Sequence, residues 1–260
     1  MNMKTVYLNK FMSSVVTELE MNGQYGTAHV CGSVLRSVMA FGGEGLPVSG
    51  ITPLWLKAYE GYLLHKGGKG LAWNTVSTYM RMLQAVYNRA VARKLAAFIP
   101  HQFRDVFTGR KADHRRVLER DDMQKLLVER EPDITSPGMA WARACLELMF
   151  RFHGMPFVDL AHLRKSDLKD GYLTLRRRKT GMPLSARVDG RAMQLLERYR
   201  NRDDTSPYLL CFLDGNLEGM AAYRDYQRIL RLLNSRLRAL ALWKKVQGKV
   251  TSYSARHTWA

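Results

Sequence analysis

Residues 251–260 read TSYSARHTWA and contain an Arg-His pair, beginning at Arg256, where a helix is predicted to start. A Lys-Thr-Gly turn, which begins at Lys179, lies upstream between two short basic strands. Earlier still, residues 153–160 (HGMPFVDL) lead into residues 163–168 (LRKSDL). These three segments, taken in this order, carry more information about the chain than its composition or its periodicity does.

The composition of the chain points to a nucleic-acid partner. Its 260 residues suffice for one large domain or two small ones. Lysine and arginine number 41 against 23 aspartate and glutamate, which gives a net charge of +18. Such an excess of positive charge raises the local concentration of polyanions such as nucleic acids. A ribosomal or membrane-surface protein can carry a similar net charge. Because the charge is spread over folded-looking sequence and not held in a tail, it favours a globular protein that binds double-stranded DNA.

Several function classes are excluded by the sequence. The three cysteines, Cys31, Cys145 and Cys211, are far apart, and there is no Cys-x-x-Cys pair or clustered His/Cys set. Neither a disulfide framework nor a metal site is therefore predicted, and no cofactor is expected. No apolar run has membrane-spanning length, and the first residues lack a signal-peptide segment. We therefore predict a cytoplasmic protein with no membrane partner.

Apolar periodicity predicts a helical first part. The clearest helix spans residues 74–93, where Val76, Met80, Leu83 and other apolar residues recur at three- and four-residue steps. Asn74 is the predicted N-cap, because its side-chain oxygen can accept a bond from a first-turn amide. Glycine-rich breaks separate three earlier predicted helices, at 7–21, 27–41 and 53–65.

The remaining sequence predicts a linker followed by a mixed second part. Residues 108–116 are polar, basic and free of apolar periodicity, so they are the predicted linker between domains at 1–107 and 117–260. Strands are predicted only within 171–188, with a turn at 180–183. Helices are predicted at 120–129, 139–152, 190–201 and 220–243. The fold class is therefore mostly α with one small β-sheet.

The three segments resemble the active-site boxes of the tyrosine recombinases, also called phage-type integrases. These enzymes cut and rejoin DNA through a phosphotyrosine intermediate. The resemblance implies that the first part is a helical core-binding (SAM-like) domain and the second a mixed α+β catalytic domain. It also implies that the two parts clamp a DNA duplex, and that recombination needs a homo-tetramer on two paired DNA sites.

Arg256 matches the box II arginine of this family, because Arg-His-Thr followed by an aromatic residue and alanine is the usual form of that box. The alternative is a basic residue at a helix start, which is electrostatically unfavourable. Tyr253 stands where the family often has histidine, so its phenol is expected to bond a phosphate oxygen; the alternative is a packed aromatic ring. Tyr253 is not expected to be the nucleophile, which in the family lies downstream of box II and here beyond the end of the chain.

Lys179 resembles the hairpin lysine that protonates the departing 5′ oxygen. It shares strand parity with Leu173 and Leu175, so it is predicted to project from the face that packs on the domain. Arg176 and Arg178 have the opposite parity and are expected to contact the DNA backbone. The alternative is that these basic residues only keep the hairpin exposed to water and make no contact with DNA.

Box I departs from the family pattern. Gly154 and Asp159 fit it, but no arginine falls inside the loop. In the branch of the family that reads Arg-Gly-Met, the arginine position aligns with His153, which is then the predicted catalytic residue. In the commoner form of the box, the arginine position aligns with Pro156. Arg151 is a nearby alternative. Asp159 is expected to hold the loop together and not to act as an acid.

DNA contact is also predicted outside the three boxes. Between residues 223 and 240 a helix is apolar on one side and basic on the other. Phosphate contact is expected from the basic side, against the alternative of a solvated face; its arginines are Arg224, Arg228, Arg231 and Arg238. The loop that contains Lys66 and Lys69 is expected to touch the DNA backbone or to be a plain helix connector.

Three interpretations therefore remain. The first is a site-specific recombinase, acting in DNA recombination and integration, whose last segment is missing from this sequence. The second is a catalytically inactive DNA-binding protein derived from such a recombinase. The third is an unrelated basic helical module that binds DNA or RNA. We rank them in this order because residues 258–260 lie inside an amphipathic helix start with no stop signal.

Overall fold

The computed structural model describes residues 5–111, 117–127 and 136–259. The chain divides into two compact units, Met1–Asp113 and His114–Ala260. This division lies within the predicted linker 108–116, of which residues 112–116 are outside the described residues. Among the residues that are described, no helix is both long enough and apolar enough to cross a membrane.

The first unit is built from helices, as predicted. Helix α1 packs on α2, and α4 contacts both α2 and α3. Each helix turns its apolar side inward, so that Leu8, Val34, Leu56 and Leu83 are fully buried. The helices are α1 (Leu8–Met21), α2 (Tyr25–Gly42), α3 (Pro53–His65) and α4 (Trp73–Ala92).

The start of α4 differs from the prediction. Its N-cap is Ala72, which makes no side-chain capping bond. Asn74 is not the N-cap, because its amide pairs with the backbone of Lys111: Nδ2 donates to the carbonyl at 3.0 Å and Oδ1 accepts from the amide at 2.9 Å. The Ser77 hydroxyl donates to the Gly109 carbonyl at 2.6 Å. The described end of the predicted linker is therefore bonded to α4.

The second unit combines helices with one small sheet. Its long helix α9 packs on α6, and α10 also contacts α6. The predicted helix 120–129 is described up to residue 127, and residues 128–129 lie outside the described part. The elements are α5 (Arg120–Leu127), α6 (Pro137–Arg151), α7 (Phe157–Ala161), β1 (Leu168–Lys169), β2 (Tyr172–Arg176), β3 (Pro183–Arg187), α8 (Gly190–Arg198), α9 (Gly219–Trp243) and α10 (Ser254–Trp259).

The sheet is antiparallel, with strand order β1-β2-β3. Leu173 pairs with Ala186, and both are buried, whereas Tyr172 on the opposite face is exposed. This alternation is the one that predicted β2 and β3. Strand β1 was not predicted, because two residues are too few to show an alternating pattern.

A buried carboxylate joins α6 to α8. Glu147 on α6 is 3% exposed, and Arg143, one helical turn earlier, is fully buried. Arg143 Nη1 lies 3.1 Å from Glu147 Oε2, while Arg151 Nε and Arg191 Nε lie 3.0 Å and 3.2 Å from Oε1. Arg151 also bonds Asp189 at 2.6 Å. Three guanidiniums therefore share one carboxylate in the second unit.

Replacing Glu147 with glutamine keeps the side-chain shape but removes the charge that these guanidiniums share. We expect the free energy of unfolding of the second unit to fall by about 3–5 kcal/mol, the usual effect of removing one partner of a buried ion pair. Urea denaturation measures this loss. As a control, Glu197→Gln breaks a more exposed pair with Arg200 and should cost under about 1 kcal/mol. Equal losses in the two variants would contradict the role assigned to Glu147.

Candidate functional site

A cavity of 270 Å³ in the second unit brings the three sequence segments together. Its lining residues come from the start of α7, from the β2–β3 turn and from the start of α10: Pro156, Val158, Asp159, Arg177, Lys179, Thr180, Tyr253 and Arg256. Three of the four residues predicted to be catalytic, Lys179, Arg256 and Tyr253, therefore lie around one space.

The loop before α7 packs directly against the start of α10. Gly154 has a φ of +67°, and a Cβ added to it would lie 3.0 Å from the Cα of Arg256. Arg256 Nη1 also donates to the Gly154 carbonyl at 3.4 Å. Because only glycine permits both this backbone conformation and this approach, Gly154 fixes where Arg256 stands.

Asp159 connects α7 to the hairpin. Its side chain is 3% exposed, and Oδ1 accepts a hydrogen bond from the Arg178 backbone amide at 2.9 Å. The other oxygen, Oδ2, lies 3.7 Å from Arg177 Nε. Both contacts reach the hairpin, so the buried carboxylate ties α7 to the hairpin, whereas the sequence predicted that it would hold its own loop together.

Lys179 reaches the cavity from the turn and not from a strand. Strand β2 ends at Arg176, and the turn closes with hydrogen bonds from the Arg177 amide to the Met182 carbonyl and from the Gly181 amide to the Arg177 carbonyl. The strand-parity argument therefore does not extend to Lys179, which is exposed and lines the cavity.

The exposed positions predicted for Arg176 and Arg178 agree with the structure. Both side chains are exposed, and Arg176 Nη1 donates to the Gly181 carbonyl at 3.2 Å. Arg178 contributes its backbone amide to Asp159 while its side chain faces solvent. These two arginines are therefore available to a ligand outside the cavity.

Neither substitute predicted for the box I arginine lines the cavity, as far as the described residues show. His153 is exposed at a φ of +56°, and its ring centroid lies 5.2 Å from that of Trp259. Arg151 is bound to Glu147 and Asp189. Pro156, the position used by the commoner form of the box, does line the cavity, but its side chain carries no charge.

Sequence reasoning missed Arg177, which does line the cavity. Strand β2 ends at Arg176, so Arg177 belongs to the turn and strand parity carries no signal for it. The family motif singles out only the hairpin lysine, so no motif pointed to this arginine either.

Comparison with known proteins agrees with the two-unit organisation. Residues 7–104 match the family model of the phage integrase SAM-like domain. Among solved structures, a lambda integrase dimer bound to a COC′ core site aligns with a TM-score of 0.63 at 15% identity, covering 98% of this chain and 69% of that one. The Tn1549 transposon integrase in complex with transposon right end DNA aligns with a TM-score of 0.64 at 15% identity, covering 98% and 85%. The first unit therefore contains a phage integrase SAM-like domain, and the chain shares the fold of these solved integrases.

A third structure extends the comparison to an assembly. A lambda integrase tetramer bound to a Holliday junction aligns with a TM-score of 0.63 at 15% identity, covering 98% of this chain and 72% of that one. No match was found among curated protein sequences. At this level of identity the solved structures establish the fold alone.

Tyr253 stands at the entrance to α10. Its side chain is 53% exposed and lines the cavity, and its ring centroid lies 6.0 Å from that of His257. Its backbone amide donates to Thr251 Oγ1 at 3.3 Å. The exposed phenol is therefore a polar group at the cavity and not a packed helix-entry aromatic.

The basic side of α9 is exposed, as predicted. The helix buries Ile229, Leu233, Leu237 and Leu240, and it exposes Arg224, Arg228, Arg231 and Arg238. One arginine on this side has an acidic partner: Arg228 Nη2 lies 2.7 Å from Asp225 Oδ1. Arg228 therefore forms an ion pair with a carboxylate of its own helix.

The lysine-containing loop belongs to the first unit. Lys66 and Lys69 are both exposed, in and after a 3₁₀ turn at Lys66–Gly68. Gly70 closes the loop at a φ of +66°, where an added Cβ would collide with the Leu64 carbonyl. A fixed loop with two exposed ammonium groups is compatible with both alternatives, backbone contact and simple connection.

His162 lies beside the site, behind the hairpin. Its Nδ1 is 2.7 Å from the Val158 carbonyl, and its ring packs near Tyr208 and Tyr226. Burial and, to a smaller extent, the nearby Arg178 charge lower the pKa of His162 from 6.5 to about 4, against the opposite effects of the Val158 carbonyl and Asp159. The folded protein therefore holds this imidazole neutral at neutral pH.

This depressed pKa predicts how stability depends on pH. Below 6.5 the unfolded chain binds a proton at His162 that the folded chain does not bind until about pH 4. Stability should therefore fall as pH is lowered through this window, by on the order of 1.4 kcal/mol for each pH unit that separates the two pKa values. Urea denaturation between pH 7 and pH 5 measures this slope.

The matched control for that slope is His162→Gln, which keeps a side-chain donor but does not titrate. It should have a flatter stability profile than the parent over the same pH range. An identical profile in parent and variant would show that His162 does not stay neutral in the folded protein.

Proposed function

We propose that this chain binds duplex DNA and takes part in site-specific recombination by strand cleavage and rejoining through a phosphotyrosine intermediate. The observation that carries this proposal is the convergence of Lys179, Tyr253 and Arg256 on one cavity. Lys179 and Arg256 come from distant parts of the sequence, and each matches a motif of the same family.

We assign Arg256 the role of binding the phosphate at which the DNA strand is cut. A guanidinium stays charged and can place two N–H donors on two phosphate oxygens. Gly154 holds the Arg256 backbone in place, so its donors are positioned before the substrate binds. Groups fixed in this way stabilise developing negative charge without reorganisation, which is usually the largest single contribution to catalysis.

We assign Lys179 the role of general acid, which donates a proton to the departing 5′ oxygen. An ammonium group at the tip of a turn can approach the leaving group, and proton transfer by a positioned side chain contributes typically about 10²–10⁴-fold. Tyr253 is assigned a hydrogen bond from its phenol to a phosphate oxygen. The three groups then contact one phosphodiester from different sides.

The nucleophile is assigned to a tyrosine downstream of box II. In the resembled family the attacking tyrosine follows this box, whereas Tyr253 precedes Arg256. Residues 257–260 (HTWA) contain no tyrosine. These 260 residues are therefore proposed to bind and orient the phosphate, and to leave the attack to a segment that follows them.

A second candidate is a DNA-binding protein that does not cleave. It is favoured by box I, because the His153 ring packs at a tilt near Trp259 and Arg151 is bound to Glu147 and Asp189. Losing one preorganised donor to a developing oxyanion costs about 2.7–4 kcal/mol of barrier. Such a loss would make cleavage slow, and it would leave DNA binding intact.

DNA affinity is assigned to exposed basic residues of both units. In the second unit these are the hairpin and α9 arginines, Arg176, Arg178, Arg224, Arg228 and Arg231, and in the first unit they are Lys66 and Lys69. The related lambda and Tn1549 integrases have been solved on DNA, and one lambda structure is a tetramer on a Holliday junction. We propose the same partner, duplex DNA, and a homo-tetramer on paired sites in the cytoplasm.

Duplex DNA affinity should depend steeply on salt. Each neutralised phosphate contributes about −0.9 to the slope of log K against log salt concentration. Arg178→Ala should therefore weaken binding and flatten this slope by about one unit. Fluorescence anisotropy at several salt concentrations measures both quantities.

The control for this measurement is Arg200→Ala, which removes the same charge from an arginine already paired with Glu197. It should change the slope much less than Arg178→Ala does. Affinity that is independent of salt, or no binding to duplex DNA at low salt, would contradict the DNA-binding proposal.

The 260-residue chain should bind DNA without forming a covalent adduct on a nicked suicide substrate. A version extended through the downstream tyrosine should form one. In that version Lys179→Ala and Arg256→Ala should each lower cleavage by roughly 10²-fold or more while leaving non-specific binding nearly unchanged. Denaturing gels and mass spectrometry of the adduct make the measurement.

Two results would contradict this assignment. An adduct mapped to Tyr253 in the 260-residue chain would show that this tyrosine is the nucleophile. Equal cleavage by the Lys179→Ala variant and its parent would show that the hairpin lysine has no part in leaving-group protonation.

A further inference from the structure

The cavity has a cationic group that no motif assigned. Arg177, from the β2–β3 turn, lines the same space as Lys179 and Arg256. Pro156, where the commoner form of box I has its arginine, lines this space too but carries no charge. The place of the missing arginine is therefore inside the cavity, and a second guanidinium reaches the cavity from another segment.

We propose that Arg177 is the second phosphate-binding guanidinium of this site, in place of the box I arginine. Its ligand is a phosphodiester of DNA, or a free phosphate as the simplest member of that class. This inference rests on the proposed function of the cavity and adds a residue to it.

The surroundings of Arg177 hold the side chain in place. It is 23% exposed, and Nε lies 3.7 Å from Asp159 Oδ2. That separation is an ion pair and is longer than a hydrogen bond, so it orients the guanidinium without using its N–H donors. Asp159 is itself fixed, because it is buried and accepts the Arg178 backbone amide. The arginine is therefore preorganised by a carboxylate that belongs to the fold.

The neighbouring arginines do not share this position. Arg176 and Arg178 are exposed, and neither lines the cavity in the described structure. Arg177, the first residue after β2, differs from them because its side chain is partly buried and pairs with Asp159. Three consecutive arginines thus have two orientations, and the middle one faces the cavity.

The charge of the lining fits an anion. Arg177, Lys179 and Arg256 supply three positive charges, and Asp159 supplies the one negative charge among the lining residues. A phosphate in the cavity would meet two forked guanidiniums and one ammonium, the set of donors that suits tetrahedral oxygens. The lining therefore selects a phosphate over a neutral ligand.

The test uses the 260-residue chain and inorganic phosphate as the probe. Phosphate is titrated at low ionic strength while the arginine Nε–H resonances are followed by NMR. We expect the Arg177 and Arg256 resonances to shift together. Arg177→Ala should weaken phosphate binding roughly 10-fold to 100-fold, the range for losing a hydrogen bond to a charged group.

The matched control is Arg187→Ala, which removes the same charge from an exposed side chain of β3 that is not among the cavity-lining residues. It should leave phosphate affinity in the cavity within roughly two-fold of the parent, because charges that interact through solvent are attenuated by its high dielectric constant. If Arg187→Ala weakens phosphate binding as much as Arg177→Ala does, the effect comes from the overall positive charge of the protein and the proposal fails.

A second pair of variants separates phosphate binding from a purely structural role. If Arg177 only neutralises Asp159, the double variant Arg177→Ala/Asp159→Asn should recover the parent affinity; if Arg177 binds phosphate, affinity should stay weak. Should the double variant fail to fold, Arg177→Lys decides the same question. It keeps the charge and loses the fork, so full affinity would overturn the proposal and reduced affinity would support it.

Failure of this inference can be told apart from failure of the proposed function. If Arg256→Ala weakens phosphate binding and Arg177→Ala does not, the cavity binds phosphate and only the assignment of Arg177 is overturned. If neither variant weakens binding, the cavity is not a phosphate site, and the proposed function fails with the inference.

Discussion

The site depends on the contacts that the buried carboxylate of Asp159 makes with the hairpin. This carboxylate lies in α7, directly after the loop that packs on Arg256, and it holds the hairpin through the Arg178 amide and the Arg177 guanidinium. A buried carboxylate is stable only when its oxygens are matched by donors or positive charge. The requirement to satisfy Asp159 therefore keeps the hairpin turn, with Lys179, beside the same cavity as Arg256.

Glycine at position 154 supplies the other half of this arrangement. A side chain there would need a left-handed backbone conformation and would meet the Arg256 backbone. Gly154 and Asp159 together bring three segments, distant in sequence, around one space. The site is thus built by a close backbone approach on one side and by a buried charge on the other.

The many arginines of this chain divide into groups with different physical roles. Arg143, Arg151 and Arg191 share the Glu147 carboxylate and contribute to the packing of the second unit. Others are exposed on the hairpin and on α9, and Arg228 among them is paired with Asp225. A net charge of +18 predicts a polyanionic partner, but it does not say which arginines meet that partner. Burial and pairing make that distinction.

The sequence by itself determined most of the helices, the hairpin and the segments that form the site, because these depend on local periodicity, turn residues and motif spacing. Helix α7 was not predicted, because its five residues are too few to show a helical period. It predicted α3 to the residue and placed Lys179, Tyr253 and Arg256 in one site. It did not reveal the role of Asn74, which bonds Lys111, or that Arg151 is held by Glu147 and Asp189. Only the tertiary structure decided these points, and only it showed that Arg177 and not His153 lines the cavity. Hydrogen bonds and ion pairs between residues far apart in the chain leave no periodic signal, so their partners become known only when the chain has folded.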